Sequence, residues 1–185
     1  VSLCDIHGRR CAVKMFCEPS EEAGVKSTVT KFEALDTYYT EAHAARKATH
    51  PNVVAIQGFS LDPFSIVTCY VDGGDLESLL FDEDGSKYAT LDRAKKFSIA
   101  YGIANGLDWA NEVSGVVHRD LKPDNILLDG NLNPVIADFG IVEILTGSEK
   151  DVEFEKAGNV LHQPPESLAG GVTDKSATVY AYGLI

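Results

Sequence analysis

The chain has 185 residues, 44% hydrophobic and 24% charged, with a formal net charge of −12. That length suits one domain with a real core, or part of a larger one. The acidic balance argues against nucleic acid or an anionic membrane surface as a partner, and no apolar run is long enough to span a bilayer.

Residues 9–17, RRCAVKMFC, alternate and are partly β-branched or aromatic, which predicts a strand. Residues 18–30 are polar and irregular. A helix is expected over 31–49, with Phe32, Leu35, Tyr38, Tyr39, Ala42 and Ala45 at helical spacing, ended by His50-Pro51-Asn52. VVAIQGFSL (53–61) and FSIVTCYV (64–71) read as two strands separated by Asp62-Pro63. GGDLESLL predicts a glycine turn and then a short helix with Asp75 near its start. A long amphipathic helix is predicted over 91–112, with Phe97, Ala100, Tyr101, Ala104, Leu107 and Trp109 near one side. ILLDGNLNPVIA (126–137) reads as two short strands joined by a turn containing Asp129-Gly130, and residues 141–163 are acidic and irregular. A strand-rich first part thus gives way to a helical second part near residues 72–74.

The four cysteines, Cys4, Cys11, Cys17 and Cys69, show no Cys-x-x-Cys pair or metal-ligand spacing, which predicts reduced, mostly buried thiols in a cytosolic protein. The chain opens on Val1 and closes on the apolar run VYAYGLI, so an interior stretch cut at both ends is expected.

The chemistry gathers around residues 118–125, HRDLKPDN. The predicted hairpin begins just after Asn125 and ends just before Asp138, so antiparallel pairing would bring those two side by side. An amide oxygen beside a carboxylate is a hard-oxygen set suited to Mg²⁺, which keeps waters and accepts phosphate oxygens. Asp120 and Lys122 lie upstream on the same loop, stiffened by Pro123. A possible base, a cation and two metal ligands fit phosphoryl transfer better than acyl or glycosyl transfer, since no nucleophile is paired with a His and no isolated carboxylate pair appears.

HRDLKPDN followed by DFG at 138–140 resembles the catalytic loop and metal-binding motif of protein kinases. CAVK (11–14) resembles the third-strand Val-Ala-Ile-Lys motif, Glu41 sits nine residues before His50 of HPNVV as the family's helix glutamate does, TCYVDGGD (68–75) resembles the hinge, and QPPE (163–166) resembles Ala-Pro-Glu. The resemblance covers essentially the whole chain. It implies an α+β, bilobal protein-kinase-like fold with a small antiparallel-sheet lobe (1–71, from second strand to hinge) and a mainly helical, incomplete lobe (72–185). It also implies ATP-dependent phosphorylation of serine or threonine in protein substrates, with ATP and Mg²⁺ as cofactors and a cytoplasmic location. Asp120 would orient or accept the proton of the substrate hydroxyl, and Lys122 would contact the transferred phosphate, as in serine/threonine kinases. Asn125 and Asp138 would hold Mg²⁺, and Lys14, paired with Glu41, would position the α- and β-phosphates. Ala12 and Leu127 would sandwich adenine, the backbones of Cys69 and Val71 would bond its edge, Asp75 would meet the ribose, and Thr68 would guard the pocket behind it.

Three features depart from the pattern. No Gly-x-Gly-x-x-Gly is present, Asn159 stands where serine/threonine kinases usually carry Thr, and Thr178 in KSATVYAYG occupies an expected Asp position. That Asp normally anchors the catalytic-loop backbone, and a Thr hydroxyl replaces one hydrogen bond but not a charge-assisted set. The alternatives are a pseudokinase that binds nucleotide or partners without efficient turnover, motivated by Thr178 and Asn159, and a small-molecule phosphotransferase with a similar loop.

Overall fold

A computed structural model describes residues 1–15, 50–61, 64–82, 86–114, 116–118, 120–138, 142–144, 160–169 and 175–185. The helix expected over 31–49, Glu41 with it, and Asn159 lie outside the described residues.

The first part is a four-stranded antiparallel sheet of β1 (Ser2–Ile6), β2 (Arg9–Met15), β3 (Ile56–Leu61) and β4 (Phe64–Cys69), in the order β1-β2-β4-β3. β1 and β2 form a hairpin. Ile6 pairs with Arg9, leaving His7 and Gly8 as a two-residue loop with φ of 53° and 78°. Positive φ at both positions gives the turn whose twist matches that of the strands. Asp5 Oδ1 accepts from the Gly8 N–H at 2.8 Å and closes it.

The strand expected from residue 53 starts only at Ile56. Val53 and its neighbours instead run beside the C-terminal hairpin: Ile136 N–H donates to Asn52 O, and Val54 N–H donates to Ile136 O, at 2.8 and 2.9 Å. The backbone polar groups of 52–54 are thereby satisfied by the second part of the molecule rather than by the sheet.

The second part is built on α1 (Leu76–Leu80), α2 (Ser86–Thr90), α3 (Arg93–Trp109) and, nearer the end, α4 (Pro165–Leu168) and α5 (Lys175–Leu184). Asp75 caps α1 by accepting from Ser78 N–H at 2.7 Å, and Asp92 caps α3 by accepting from Lys95 N–H at 2.6 Å. Each satisfies one of the orphan donors at a helix start. β5 (Val116–His118) pairs with β8 (Val142–Ile144), and β6 (Ile126–Leu128) with β7 (Pro134–Ile136), both antiparallel. Leu76, Leu79, Ile99, Ile103, Leu107, Leu121, Ile126, Leu128, Ile136 and Ala181 form the core between these elements. The result is the expected α+β arrangement, strands first and helices after.

The predicted face of α3 is corrected. Of that face Leu107 is buried as expected, but Phe97 and Tyr101 are 71% and 63% exposed, stacked on each other, and the helix instead buries Ile99, Gly102, Ile103 and Gly106 beside Leu107. A Cβ on Gly102 would lie 2.6 Å from Pro134 Cγ, and one on Gly106 would lie 2.8 Å from Asn52 O. The helix therefore turns its glycine side inward because only a face without side chains admits the 52–54 segment and β7 at this distance. The helix is also shorter than the 91–112 expected, passing into a π-helical turn over Ala110–Ser114.

Candidate active site

Strand alternation places Ala12 and Lys14 on one face of β2, with Thr68 and Ile66 opposite them on β4. Thr68 Oγ1 donates to Ala12 O at 3.5 Å. Lys14 reaches the end of β7, where its ammonium forms an ion pair with the Asp138 carboxylate. Residues 124 apart in sequence thus meet between the sheet and the helical part. Both side chains stay partly exposed, so the pair is open to a third charged group.

The expected opposition of Asn125 and Asp138 is off by one position. Ile126 pairs with Ile136, and the ladder continues as Ala137 N–H donating to Asn125 O at 2.9 Å. Asp138 follows one residue later, at φ 59°. A left-handed conformation at a non-glycine residue is uncommon and costs free energy, of order 1–3 kcal/mol. The turn between the strands is also longer than an Asp-Gly hairpin. It spans 129–133, with the Asp129 carboxylate accepting from the N–H groups of Asn131 and Asn133, both at 2.8 Å, and the positive φ falling on Leu132. Those N–H bonds hold the Asp129 carboxyl below the usual carboxylate range.

The loop before β6 is internally tied. Asn125, 7% exposed, donates through Nδ2 to Asp120 O at 2.7 Å and to Asp120 Oδ2 at 3.2 Å. With its amide nitrogen so engaged, its oxygen is the end left to accept. Lys122 Nζ lies 3.3 Å from Asp120 Oδ2 and 3.3 Å from Asp124 Oδ2. Burial works against the Lys122 charge, but the Asp120 and Asp124 carboxylates outweigh it and raise its pKa. Lys122 is therefore a firmly charged cation within reach of the Asp120 carboxylate.

Two buried residues hold the loop from behind. His118 Nε2 bonds to Ala137 O at 2.9 Å, and Thr178 Oγ1 on α5 donates to His118 O at 3.2 Å. His118 is 2% exposed, and burial lowers its pKa, keeping the ring neutral. Thr178, read in the sequence as a departure, thus makes the single hydrogen bond a hydroxyl is able to supply.

The segment after β4 is pinned under the sheet. Gly73 N–H donates to Leu128 O and Leu128 N–H donates to Gly74 O, both at 2.8 Å, and Asp75 bridges to Leu127. A Cβ on Gly73 would fall 2.5 Å from Leu128 O, so the position needs glycine for close approach, not only for a turn. Cys69 N–H is taken by Ala55 O at 2.8 Å. Asp75 lies beside Leu127 while its side chain caps α1. Val71, two residues after β4, is half-buried.

The structure thus brings together Lys14 with Asp138, and Asp120 with Lys122 and Asn125. It sets Ala12 and Thr68 on one strand pair, and Leu127 beside Asp75. Sequence reasoning missed the structural duty of Gly73 and the particular partners of His118, Ala137 and Thr178. The adjacent glycines at 73–74 were the one available signal for the first.

A family profile described as protein tyrosine and serine/threonine kinase matches residues 7–185. The "Cysteine-rich receptor-like protein kinase 6" of Oryza sativa subsp. japonica is 33% identical over 96% of this chain and 24% of its own length. The "Leucine-rich repeat receptor protein kinase EMS1" of Arabidopsis thaliana is 32% identical over 91% of this chain and 15% of its own. The "Lectin-domain containing receptor kinase VI.4" of the same plant is 28% identical over 90% and 25%. The chain spans about a quarter or less of the length of these relatives.

Proposed function

Because the chain belongs to the protein tyrosine and serine/threonine kinase family, we propose that it transfers the γ-phosphate of ATP to serine or threonine hydroxyls of protein substrates. The observation that carries this reading is the pairing of Asp120 with Lys122 on a loop tied to Asn125, together with the pairing of Lys14 with Asp138. Asp120 accepts or orients the proton of the incoming hydroxyl. Lys122, held cationic beside it, attracts the transferred phosphate and selects for the serine/threonine type of loop. Lys14 exchanges its Asp138 contact for the α- and β-phosphates, with Glu41 as its second partner. Adenine lies between Ala12 and Leu127, bonded by the backbones of Cys69 and Val71 behind which Thr68 stands, and Asp75 turns toward the ribose.

The donor set fits Mg²⁺. The Asn125 amide oxygen and the Asp138 carboxylate are hard oxygens, and this ion usually takes one or two protein ligands and completes its shell with water and phosphate. When bound, it neutralises charge on the β- and γ-phosphates. The protein's own contribution is positioning and electrostatic preorganisation, because the phosphoryl transition state is loose.

In this reading residues 1–71 form the sheet lobe and 72–185 belong to the helical lobe. No described helix is long and apolar enough to cross a membrane. The relatives carry receptor-kinase names, and a location on the cytoplasmic side follows by analogy with them. A second reading, a nucleotide-binding module with slow turnover, draws on Thr178 in place of a carboxylate. Calorimetry with ATP and phosphate transfer to a mixed serine/threonine peptide library separate them. Mg²⁺-dependent ATP binding lost in Asp138→Ala, with transfer lost in Asp120→Asn, supports the kinase. Equal ATP affinity with and without Mg²⁺ overturns the metal assignment, and binding without any transfer favours the module.

A further inference from the structure

Three cysteines whose thiols the phosphotransfer site does not use stand in one row across the sheet. Cys4 on β1 is the register partner of Cys11 on β2, and Cys11 is the partner of Cys69 on β4. All three are free thiols. Register partners point to the same face of a sheet, and alternation puts these on the side opposite Ala12 and Thr68.

The two pairs are not equivalent. Tyr70 N–H donates to Arg10 O at 3.2 Å, so Arg10 and Tyr70 form a hydrogen-bonded pair across β2 and β4. Antiparallel ladders alternate, so Cys11 and Cys69, one step further in, form a non-hydrogen-bonded pair. Cys69 N–H agrees, since it points away from β2 to Ala55 O. Such pairs have Cα atoms roughly 4.5 Å apart, the closer of the two kinds. A disulfide needs Cα atoms about 4.4–6.8 Å apart, so this pair is bridged without moving the strands far. By the same alternation Cys4 and Cys11 form a hydrogen-bonded pair, with Cα atoms roughly 5.5 Å apart, and the Cys4 side chain is a hydrogen-bond neighbour of the Cys11 thiol.

The sulfurs also differ chemically. Gln57, at the irregular register between Ile56 and Gly58 of β3, donates its amide N–H to Cys69 Sγ at 3.0 Å. Cys11 Sγ instead donates to Arg9 O at 3.5 Å and is 2% exposed. Burial first, and then the neighbouring Cys4 and Cys69, push its thiol pKa up. Cys69 is half-buried and reachable; Cys11 is a covered thiol beside it.

We propose that Cys69 and Cys11 form a reversible peroxide-driven disulfide, with Cys69 as the attacking and Cys11 as the resolving sulfur. The Cys69 thiolate attacks one oxygen of hydrogen peroxide, the O–O bond breaks, and the departing hydroxide takes a proton to become water. The Cys69 sulfenic acid is then attacked by the Cys11 sulfur. The S–S bond forms, the S–O bond breaks, and the leaving hydroxide takes the Cys11 proton. Two thiols are oxidised to one disulfide and one peroxide is reduced to two waters. The bond ties β2 to the last residue of β4, where the chain leaves the sheet for the segment pinned by Gly73.

The test is peroxide titration of the protein followed by non-reducing peptide mapping in a mass spectrometer. The expected product joins the peptides holding Cys11 and Cys69, is two hydrogens lighter than the separate pair, and disappears on treatment with a thiol reductant. Cys4→Ser should leave its yield within twofold of the parent. Cys11→Ser should abolish it and let a sulfenic acid trappable by a 1,3-dione build up on Cys69, while Gln57→Leu should slow its formation severalfold. A dominant bridge from Cys4 or Cys17, or peroxide consumed with no bridge to Cys11, overturns the proposal. So does sulfenic acid accumulating on Cys11 in Cys69→Ser at the parent's rate, which would reverse the assigned order.

Discussion

Replacing Thr178→Val keeps the shape of a side chain 3% exposed on α5 and deletes only the hydroxyl that donates to His118 O at 3.2 Å. Losing an ordinary hydrogen bond costs about 0.5–1.5 kcal/mol, and leaving a buried partner short of a donor raises this toward about 1–3 kcal/mol. A carbonyl has two lone pairs, so the lower half applies, about 1–2 kcal/mol. For a chain of this size that corresponds to a fall in Tm of roughly 2–8 °C. Thr178→Ser is the control: it keeps the hydroxyl and loses one buried methyl, about 0.8 kcal/mol. Stability alone does not separate the two variants well, so the deciding assay is phosphate transfer. His118 O lies on the loop that carries Asp120, and loosening it should lower kcat with little change in KM for ATP in Thr178→Val, and less so in Thr178→Ser. If the valine variant melts and turns over like the parent, or if serine is the more damaging in transfer, the hydroxyl is not what holds the loop.

Two glycine substitutions should act with opposite signs. Gly→Ala gains about 1 kcal/mol in an open helix position, and at Gly183, with nothing within 4 Å of a Cβ, it should raise the urea midpoint. At Gly106 the same change meets Asn52 O at 2.8 Å and Ile136 Cδ1 at 2.9 Å, and overpacking of about 1–3 kcal/mol should outweigh the gain and lower the midpoint. For His118, burial depresses the folded pKa below its ordinary 6.5, so well above pH 6.5 neither state is protonated and the group adds no pH dependence. Below it the unfolded chain takes a proton that the folded one refuses, and stability falls as pH drops toward the folded value. NMR titration should find His118 protonating below its ordinary value, and a midpoint at or above that value would contradict its burial.

The local elements were legible because they depend on near neighbours. β2, β4 and the α1 cap come from alternation, from β-branched runs and from an Asp before an apolar turn, and each is present. The candidate site residues were named from their order along the chain, which resembles the kinase pattern. Lys122 beside Asp120 follows from a spacing of two residues in a proline-stiffened loop. The inward face of α3 was not legible: Phe97 and Tyr101 look like core by hydropathy, yet the helix buries Gly102 and Gly106 because Asn52 and Pro134 approach there. The one-residue shift between Asn125 and Asp138 belongs to the same class, since it is set by a five-residue turn held by Asp129. So do the meeting of Lys14 with Asp138, the bond from Thr178 to His118, and the row of three thiols. Composition and periodicity determined which segments became strands and helices. Only the tertiary structure decided which faces meet, because a contact between residues 60 or 124 positions apart is set by the packing of whole elements, not by propensities within any one of them.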